Sequence, residues 1–556
     1  MMAKARFWRY PLLMAALTLF LIWRIHLGLF HDEVQLINLG KLLADGDSFV
    51  QFTGYGMSHY LIRPLMALYH KFTGSYDGVF LYMRYFFVLI QLAVSIFTFT
   101  TLRLFWSEKQ AASASTMVML FVFSYYATAY KAFMFWCTML TVLFLLRWEK
   151  TRKTRYLILS ALALSADVLG YPPIPVLLIV PVTRFLLLER ADARRTIAIF
   201  WGTCALCALA FLLPILLRWP FPLIREAYFA ESLQTGRGFR SGLVKIGFAA
   251  ALFLAAEAAV RIGERSGFFA KGGRRLWEAL GALLWLALIG LVAMKPQSAQ
   301  ASRFWYVFLG FWMLMFSLRR HELLRVSHAP LVDILFFEVS VWMIAGIALI
   351  SDQGLAIVAY GSIFGLIGVC IALLDGDNGV RYGHPGILAG CLVLAMLVCV
   401  TVFVADENMN HESSNVFQHR ERIEDGAGKG LYVTAYTMEK HDALCRTARS
   451  FAREGDRMFI ISDLMHPVGT MSADVAEAMP AGYKMESYLK TSAGVDYCAR
   501  FPELAPTVVL VDTSYTGNFE TWRKTAVFAR WMDDRFEREA ETPDGRWIVF
   551  RRLPES

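Results

Sequence analysis

The sequence predicts a polytopic α-helical membrane protein of about thirteen transmembrane helices with a C-terminal exoplasmic α/β domain. Three observations lead there. The 556 residues are 57% hydrophobic and 18% charged, with a mean hydropathy of +0.46, whereas soluble domains are closer to half apolar and a quarter charged. Apolar runs long enough to cross a bilayer recur up to residue 404. From Ala405 onward the character changes: residues 405–556 carry a net charge of −6, and the rest +15. The basic surplus therefore belongs to the hydrophobic part, where Lys and Arg orient loops toward the cytoplasm, and no nucleic-acid partner is expected. With 18 Pro, 39 Gly and 8 Cys, a collagenous, disordered or disulfide-stapled chain is excluded.

Spans are expected near 10–30, 79–104, 111–130, 132–148, 156–171, 172–188, 196–219, 243–262, 276–294, 303–318, 331–351, 355–374 and 386–404. The pair meeting at Gly170-Tyr171-Pro172-Pro173 is either two spans or one kinked one, because proline punctuates both. Lys4, Arg6 and Arg9 precede the first span, and alternate connections read SEKQ, RWEKTRKTR, ERADARR, RIGERSGFFAKGGRR and RRHELLR. With thirteen spans all of them fall on the side of the N-terminus, which makes that side cytoplasmic and the C-terminal domain exoplasmic in the cell membrane. No cleavage site follows Phe30, so the first span is read as retained.

The exoplasmic side then holds loops 31–78 and 220–242 and the domain 405–556, leaving 1–404 as the transmembrane domain. In the C-terminal domain 457–463, 507–513 and 546–553 read as buried strands, with helical patterns near 436–454 and 517–533 between them.

The first loop opens on His31-Asp32-Glu33, and Leu36, Leu39, Gly40 and Leu43 then recur at helical spacing, the pattern of a short interfacial helix. Asp32 as an N-cap, with Glu33 favouring the helix dipole, accounts for the local structure. A carboxylate fixed at the membrane surface is also placed to act as a general base.

A first span followed by an Asp-Glu pair that opens a long exoplasmic loop resembles the GT-C glycosyltransferases. It is most similar to their protein O-mannosyltransferase and lipid A aminoarabinose transferase branch. The stretch TGYGMSHYLIRPLMALYHKFTGSYDGVFLYMRYFFVL at 53–89, with Arg84, resembles that branch's second interfacial helix and second span. The resemblance implies a cell-envelope enzyme of glycan biosynthesis, using a polyprenyl-phosphate-linked sugar as donor and a glycan, lipid or protein as acceptor. Transfer would proceed with inversion: Asp32, with Glu33 beside it, would take the proton of the acceptor hydroxyl. The leaving lipid phosphate needs cations more than a general acid. Arg63, Arg84, Lys131, Arg237, Arg240, Lys295 and Arg303 are the candidates, each with snorkelling at a span end as its alternative.

The family's second acid between spans 3 and 4 is missing, since SYYATAYKAF has no carboxylate. Asp167 is the substitute available, either a second carboxylate or a polar lock between helices. Glu257 can pair with Arg261 four residues on. No Gly-rich phosphate loop, HExxH, paired CxxC or WWDxG-type motif occurs. No cofactor or metal is expected, although the sequence leaves a divalent ion open. A lipid-linked-glycan transporter or flippase, and a non-catalytic GT-C relative, stand as alternatives; transporters usually show repeats with broken helices. Only Cys445 and Cys498 lie outside the apolar segments, and they are expected either to bridge, closing a loop of about 50 residues, or to remain buried thiols.

Cysteine-accessibility labelling at Ser48 and Ser232 is expected to report the exoplasmic side, and at Ser266 the cytoplasmic side. Labelling of Ser48 and Ser266 from one side would break the thirteen-span topology.

Overall fold

A computed structural model describes residues 9–29, 31–44, 59–121, 130–170, 173–188, 192–218, 327–350, 358–374, 416–462, 466–478, 492–517 and 519–554, with a few positions between 258 and 267 and at 489–490. In chain order the first helices are α1 (Arg9–Arg24), α2 (His31–Ala44), α3 (His59–Thr73), α4 (Val79–Leu102) and α5 (Glu108–Leu120). They are followed by α6 (Tyr130–Thr151), α7 (Thr154–Gly170), α8 (Pro173–Leu187), α9 (Ala193–Arg218), α10 (Val339–Ile350) and α11 (Val358–Leu373). Two compact units result. One comprises Met1–Arg24, Phe87–Tyr126 and Tyr130–Asp406, and the other Ile25–Phe86, Ala127–Ala129 and Glu407–Ser556. The expected boundary at 404/405 is close to the division after Asp406, but the second unit also takes in the first loop.

In the first unit, α1 and α4–α9 fall on the first seven expected spans, and α10 and α11 on the eleventh and twelfth. The stretches 276–294, 303–318 and 386–404, and nearly all of 243–262, lie outside the described residues. Among the described residues, three helices are long and apolar enough to cross a membrane alone: Val79–Leu102, Lys131–Thr151 and Ala193–Pro214. The Gly170–Pro173 stretch separates two helices, α7 ending at Gly170 and α8 starting at Pro173, where a proline at the first helical position costs no hydrogen bond. The segment SEKQ turns out to be a capping box, in which Gln110 Oε1 accepts from the Ser107 backbone N–H at 2.8 Å and the Ser107 hydroxyl accepts from Gln110 N.

Basic residues at the ends expected to be cytoplasmic lie against aromatic rings rather than extending freely. Arg147 sits over Phe97 at 4.5 Å, Arg152 over Trp148 at 5.0 Å and Arg155 over Tyr156 at 4.9 Å, as anchors at a membrane–water boundary do. Inside the unit, Gln91 is fully buried; its amide donates to the carbonyls of Val118 and Phe121 and accepts from Trp136 Nε1 at 2.6 Å. That side chain ties α4 to α5 and α6 where apolar contact alone specifies little.

In the second unit, α2 packs on α3, which buries His59, Ile62 and Met66. The C-terminal part contributes β1 (Glu421–Arg422), β2 (Tyr432–Val433), α12 (Ala435–Phe451), β3 (Arg457–Ile461), α13 (His466–Ser472) and β4 (Ala476–Glu477). After these come α14 (Ala493–Arg500), β5 (Val508–Asp512), α15 (Phe519–Thr525), α16 (Val527–Asp533), β6 (Phe536–Glu541) and β7 (Trp547–Arg552). Five strands form one sheet in the order β4-β3-β5-β7-β6, with β3 parallel to β4 and β5, and β7 antiparallel to β5 and β6. Both central strands are apolar and buried on both faces, as parallel strands covered by helices are. Ile460 meets Gly469 of α13, which also lies close to Leu444 of α12, and Phe459 on the opposite face stacks edge-on with Phe528 of α16 at 5.3 Å.

This layering favours buried thiols over a bridge at the two cysteines of this domain. Cys445 and Cys498 are both free and buried. Cys445 belongs to α12, with its thiol 3.2 Å from Ser472 Oγ of α13, whereas Cys498 belongs to α14, which packs on α16. The two thiols thus lie on opposite faces of the sheet. Burial pushes the Cys498 thiol up to about 12, so it stays protonated and unreactive.

A Cβ at Gly170 would stand 2.7 Å from the backbone nitrogen of Met134, so α6 and α7 approach more closely than any side chain allows. Gly170→Ala is expected to cost about 1–3 kcal/mol through overpacking, read as a lower melting temperature of the detergent-solubilised protein. An unchanged melting temperature would mean that the two helices can separate freely.

Candidate functional site

The site is built around the start of α2. Glu33, its third residue, is fully buried and faces Arg84 of α4, also fully buried. Arg84 Nε donates to both carboxylate oxygens at 2.9 and 3.1 Å, and Nη2 donates to Oε2 at 2.6 Å. Its remaining donors reach the carbonyls of Ile25 at 2.7 Å and Gly28 at 2.8 Å, with a longer contact to Leu27 at 3.4 Å. One guanidinium therefore gathers the chain that leaves α1 and the first turn of α2, using the planar fork that only arginine has. Burial pushes the Glu33 carboxyl up, against the pull of the Arg84 charge. Asp32, the second residue of α2, sits one position before this anchor; its side chain lies outside the described residues.

Arg84 thus differs from its expected role. Its donors are committed to Glu33 and to backbone carbonyls, so it positions the loop rather than offering a free cation to phosphate. Glu33 likewise is a structural acid held by arginine. Arg63 is exposed on α3, and Lys131 is buried in the first turn of α6. Arg237, Arg240, Lys295 and Arg303 lie outside the described residues. Asp167 is buried in the last turn of α7; its Oδ2 accepts from Thr138 of α6 at 2.5 Å, while its Oδ1 has no hydrogen-bond partner.

Further along α2, the sequence pattern drew attention to the leucines and passed over the polar residues between them. Gln35 and Asn38 are both buried, one and two turns beyond Asp32, and Gln35 Nε2 and Asn38 Oδ1 have no hydrogen-bond partner. Such atoms cost about 1–3 kcal/mol each, which marks them as groups kept for something other than stability. Lys41 is buried too, donating to the Val475 carbonyl at 2.9 Å beside the Tyr76 ring. Polar residues set among the leucines of α2 were the available signal.

The loop and the C-terminal domain share further bonds within this unit. Gly28 N donates to Tyr432 O at 2.8 Å and Tyr432 N to His26 O at 2.7 Å. His70 approaches Asp474 at 3.2 Å, and Arg449 bridges Asp77 and Asp425. A Cβ on Gly40 would meet Ile62 at 2.8 Å, so glycine there lets α2 lie flat on α3. Among the described residues no group of three or more His, Cys, Asp or Glu could hold a metal ion.

No family model matches the sequence, and no curated protein matches it. Solved structures do. ArnT from Cupriavidus metallidurans, bound to undecaprenyl phosphate, aligns with a TM-score of 0.53 at 10% identity, covering 99% of this chain and 99% of that one. The same protein in the apo state gives 0.46 at 11% identity, over 99% and 100% of the two chains. The archaeal oligosaccharyltransferase AglB from Archaeoglobus fulgidus, in complex with an inhibitory peptide and a dolichol-phosphate, gives 0.46 at 12%, over 98% and 74%. At such identities the likeness is one of fold. The chain shares the overall fold of ArnT, which agrees with the fold implied by the resemblance carried by the first loop.

Arg84→Lys keeps the charge but loses the fork. It leaves the carbonyls of Ile25 and Gly28 short of donors and is expected to cost about 1–3 kcal/mol for each buried group left unanswered, seen as a drop in melting temperature. A variant of wild-type stability with weakened binding of a polyprenyl-phosphate sugar would instead return Arg84 to the phosphate binders.

Proposed function

We propose that this protein is an inverting glycosyltransferase that moves a sugar from a polyprenyl-phosphate donor to an exoplasmic acceptor, with Asp32 as the general base. The observation that carries the reading is the buried Glu33–Arg84 pair, which fixes the first turn of α2 where Asp32 stands. A base must be held to within a fraction of an ångström to contribute, and this turn is anchored by five donors of one arginine. The shared fold with ArnT, solved with undecaprenyl phosphate bound, supports the donor class.

In this mechanism Asp32 accepts the proton of an acceptor hydroxyl as its oxygen attacks the anomeric carbon. The bond between that carbon and the phosphate oxygen breaks, and polyprenyl phosphate leaves carrying the electron pair. Basic side chains stabilise the charge that accumulates on the phosphate; Arg63 and Lys131 remain candidates, together with Arg237, Arg240, Lys295 and Arg303. Gln35 and Asn38 offer a donor and an acceptor to a bound hydroxyl, which would satisfy both. Asp167 joins α7 to α6 through Thr138 and keeps its second oxygen unpaired.

Asp32→Asn is expected to leave expression, melting temperature and membrane insertion unchanged while reducing transfer from a radiolabelled polyprenyl-phosphate sugar about 10²–10⁴-fold. Near-normal turnover by this variant would leave Asp32 as a helix cap. Wild-type protein that moves the labelled lipid across a vesicle membrane without transferring the sugar would favour a flippase.

A further inference from the structure

The sheet of the C-terminal domain reverses its strand order at β3. The chain passes from β3 to β4 on one side, then returns through α14 to β5 on the other side of β3, and all three strands are parallel. In open α/β sheets ligands collect outside the carboxyl ends of the strands at such a switch point. Here that edge carries polar residues. Ile461 pairs with Val511 and Asp512 with Trp547, so Ser462, Asp512 and Trp547 form one row across β3, β5 and β7 on a single face.

The row is only half satisfied. Asp512 is 3% exposed; its Oδ1 accepts from Ser514 N at 2.9 Å and Ser514 Oγ at 2.6 Å, and its Oδ2 from Ser462 Oγ at 3.3 Å. Arg546 Nη2 lies 3.5 Å from the same Oδ2. Two donors remain: Arg546 Nε and Trp547 Nε1 are buried with no hydrogen-bond partner, and Trp547 is 2% exposed. The cluster is not sealed, because Ser514 is exposed and a fifth of the Arg546 side chain reaches the surface.

We propose that this edge is a saccharide-binding site, taking a neutral, hydroxyl-bearing sugar through Arg546, Trp547 and Asp512. Two unpaired N–H donors call for oxygen acceptors. The Arg546 charge is already balanced by Asp512, whose carboxylate would repel phosphate or a second carboxylate, so the oxygens should be uncharged. Hydroxyls both give and accept, and the rotatable Ser462 and Ser514 hydroxyls can redirect their protons to suit them. A saccharide presents several neighbouring hydroxyls on one face, so two of them can meet Arg546 Nε and Trp547 Nε1 together. The site is separate from Asp32 and does not depend on the transferase reading.

The test is binding of chitotriose and maltotriose to the full chain in detergent, followed by saturation-transfer NMR, with inorganic phosphate as the charged probe. Wild type is expected to bind at least one saccharide with millimolar affinity, unaffected by phosphate. Trp547→Phe removes the N–H and keeps most of the ring; it is expected to weaken binding roughly fivefold to tenfold without lowering the melting temperature. Arg546→Lys serves as the second variant and is expected to weaken binding similarly. Saccharide binding that is absent, that phosphate displaces, or that neither substitution weakens would overturn the proposal.

Discussion

A single buried ion pair sets the geometry on which the candidate site depends. Charges withdrawn from water are tolerated only when every lone pair and proton is answered, and Arg84 achieves this by spending its donors on Glu33 and on the carbonyls of Ile25 and Gly28. The pair is therefore less a source of net stability than of specificity. It allows one path for the chain between α1 and α2 and one orientation for the turn that begins at His31. The apolar packing of α2 on α3 could slide; the guanidinium fork cannot.

The same economy appears elsewhere in the first unit. Gln91 links three helices through one amide, and Thr138 holds Asp167. In apolar surroundings there is little hydrophobic difference between one helix register and another, so sparse polar contacts choose among them. Small residues assist by letting backbones approach, as Gly170 does against Met134.

Much of this was legible in the sequence. Hydropathy located α1 and α4–α9, because a bilayer imposes length and polarity on every span alike. Alternation and β-branched content marked β3, β5 and β7. What could not be read was set by partners distant in the chain. The segment FEREAE of β6 is rich in charge and helix formers, yet it pairs with β7 as an exposed edge strand; its charges suit an edge, which they protect from further pairing, while its composition conceals it. Arg84 stood among the candidate phosphate cations, because the sequence shows a charge and not the carbonyls that surround it. Gln35 and Asn38 were passed over because periodicity counts apolar residues. Compartment and spacing could not decide whether Cys445 and Cys498 bridge, and only the sheet between them shows why they stay apart.

The joining of the first loop to the last part of the chain has a consequence for biogenesis. Lys41 bonds to Val475 across 434 positions, and Tyr432 accepts from Gly28 N and donates to His26 O. The first loop is synthesised long before its partner surface exists, so α2 and α3 must wait through the synthesis of most of the chain. Such long-range closure is slow, and an unpartnered apolar helix is exposed to misassembly meanwhile. Truncation anywhere ahead of the C-terminal domain therefore leaves the turn carrying Asp32 without half of its support, however completely the transmembrane helices have inserted.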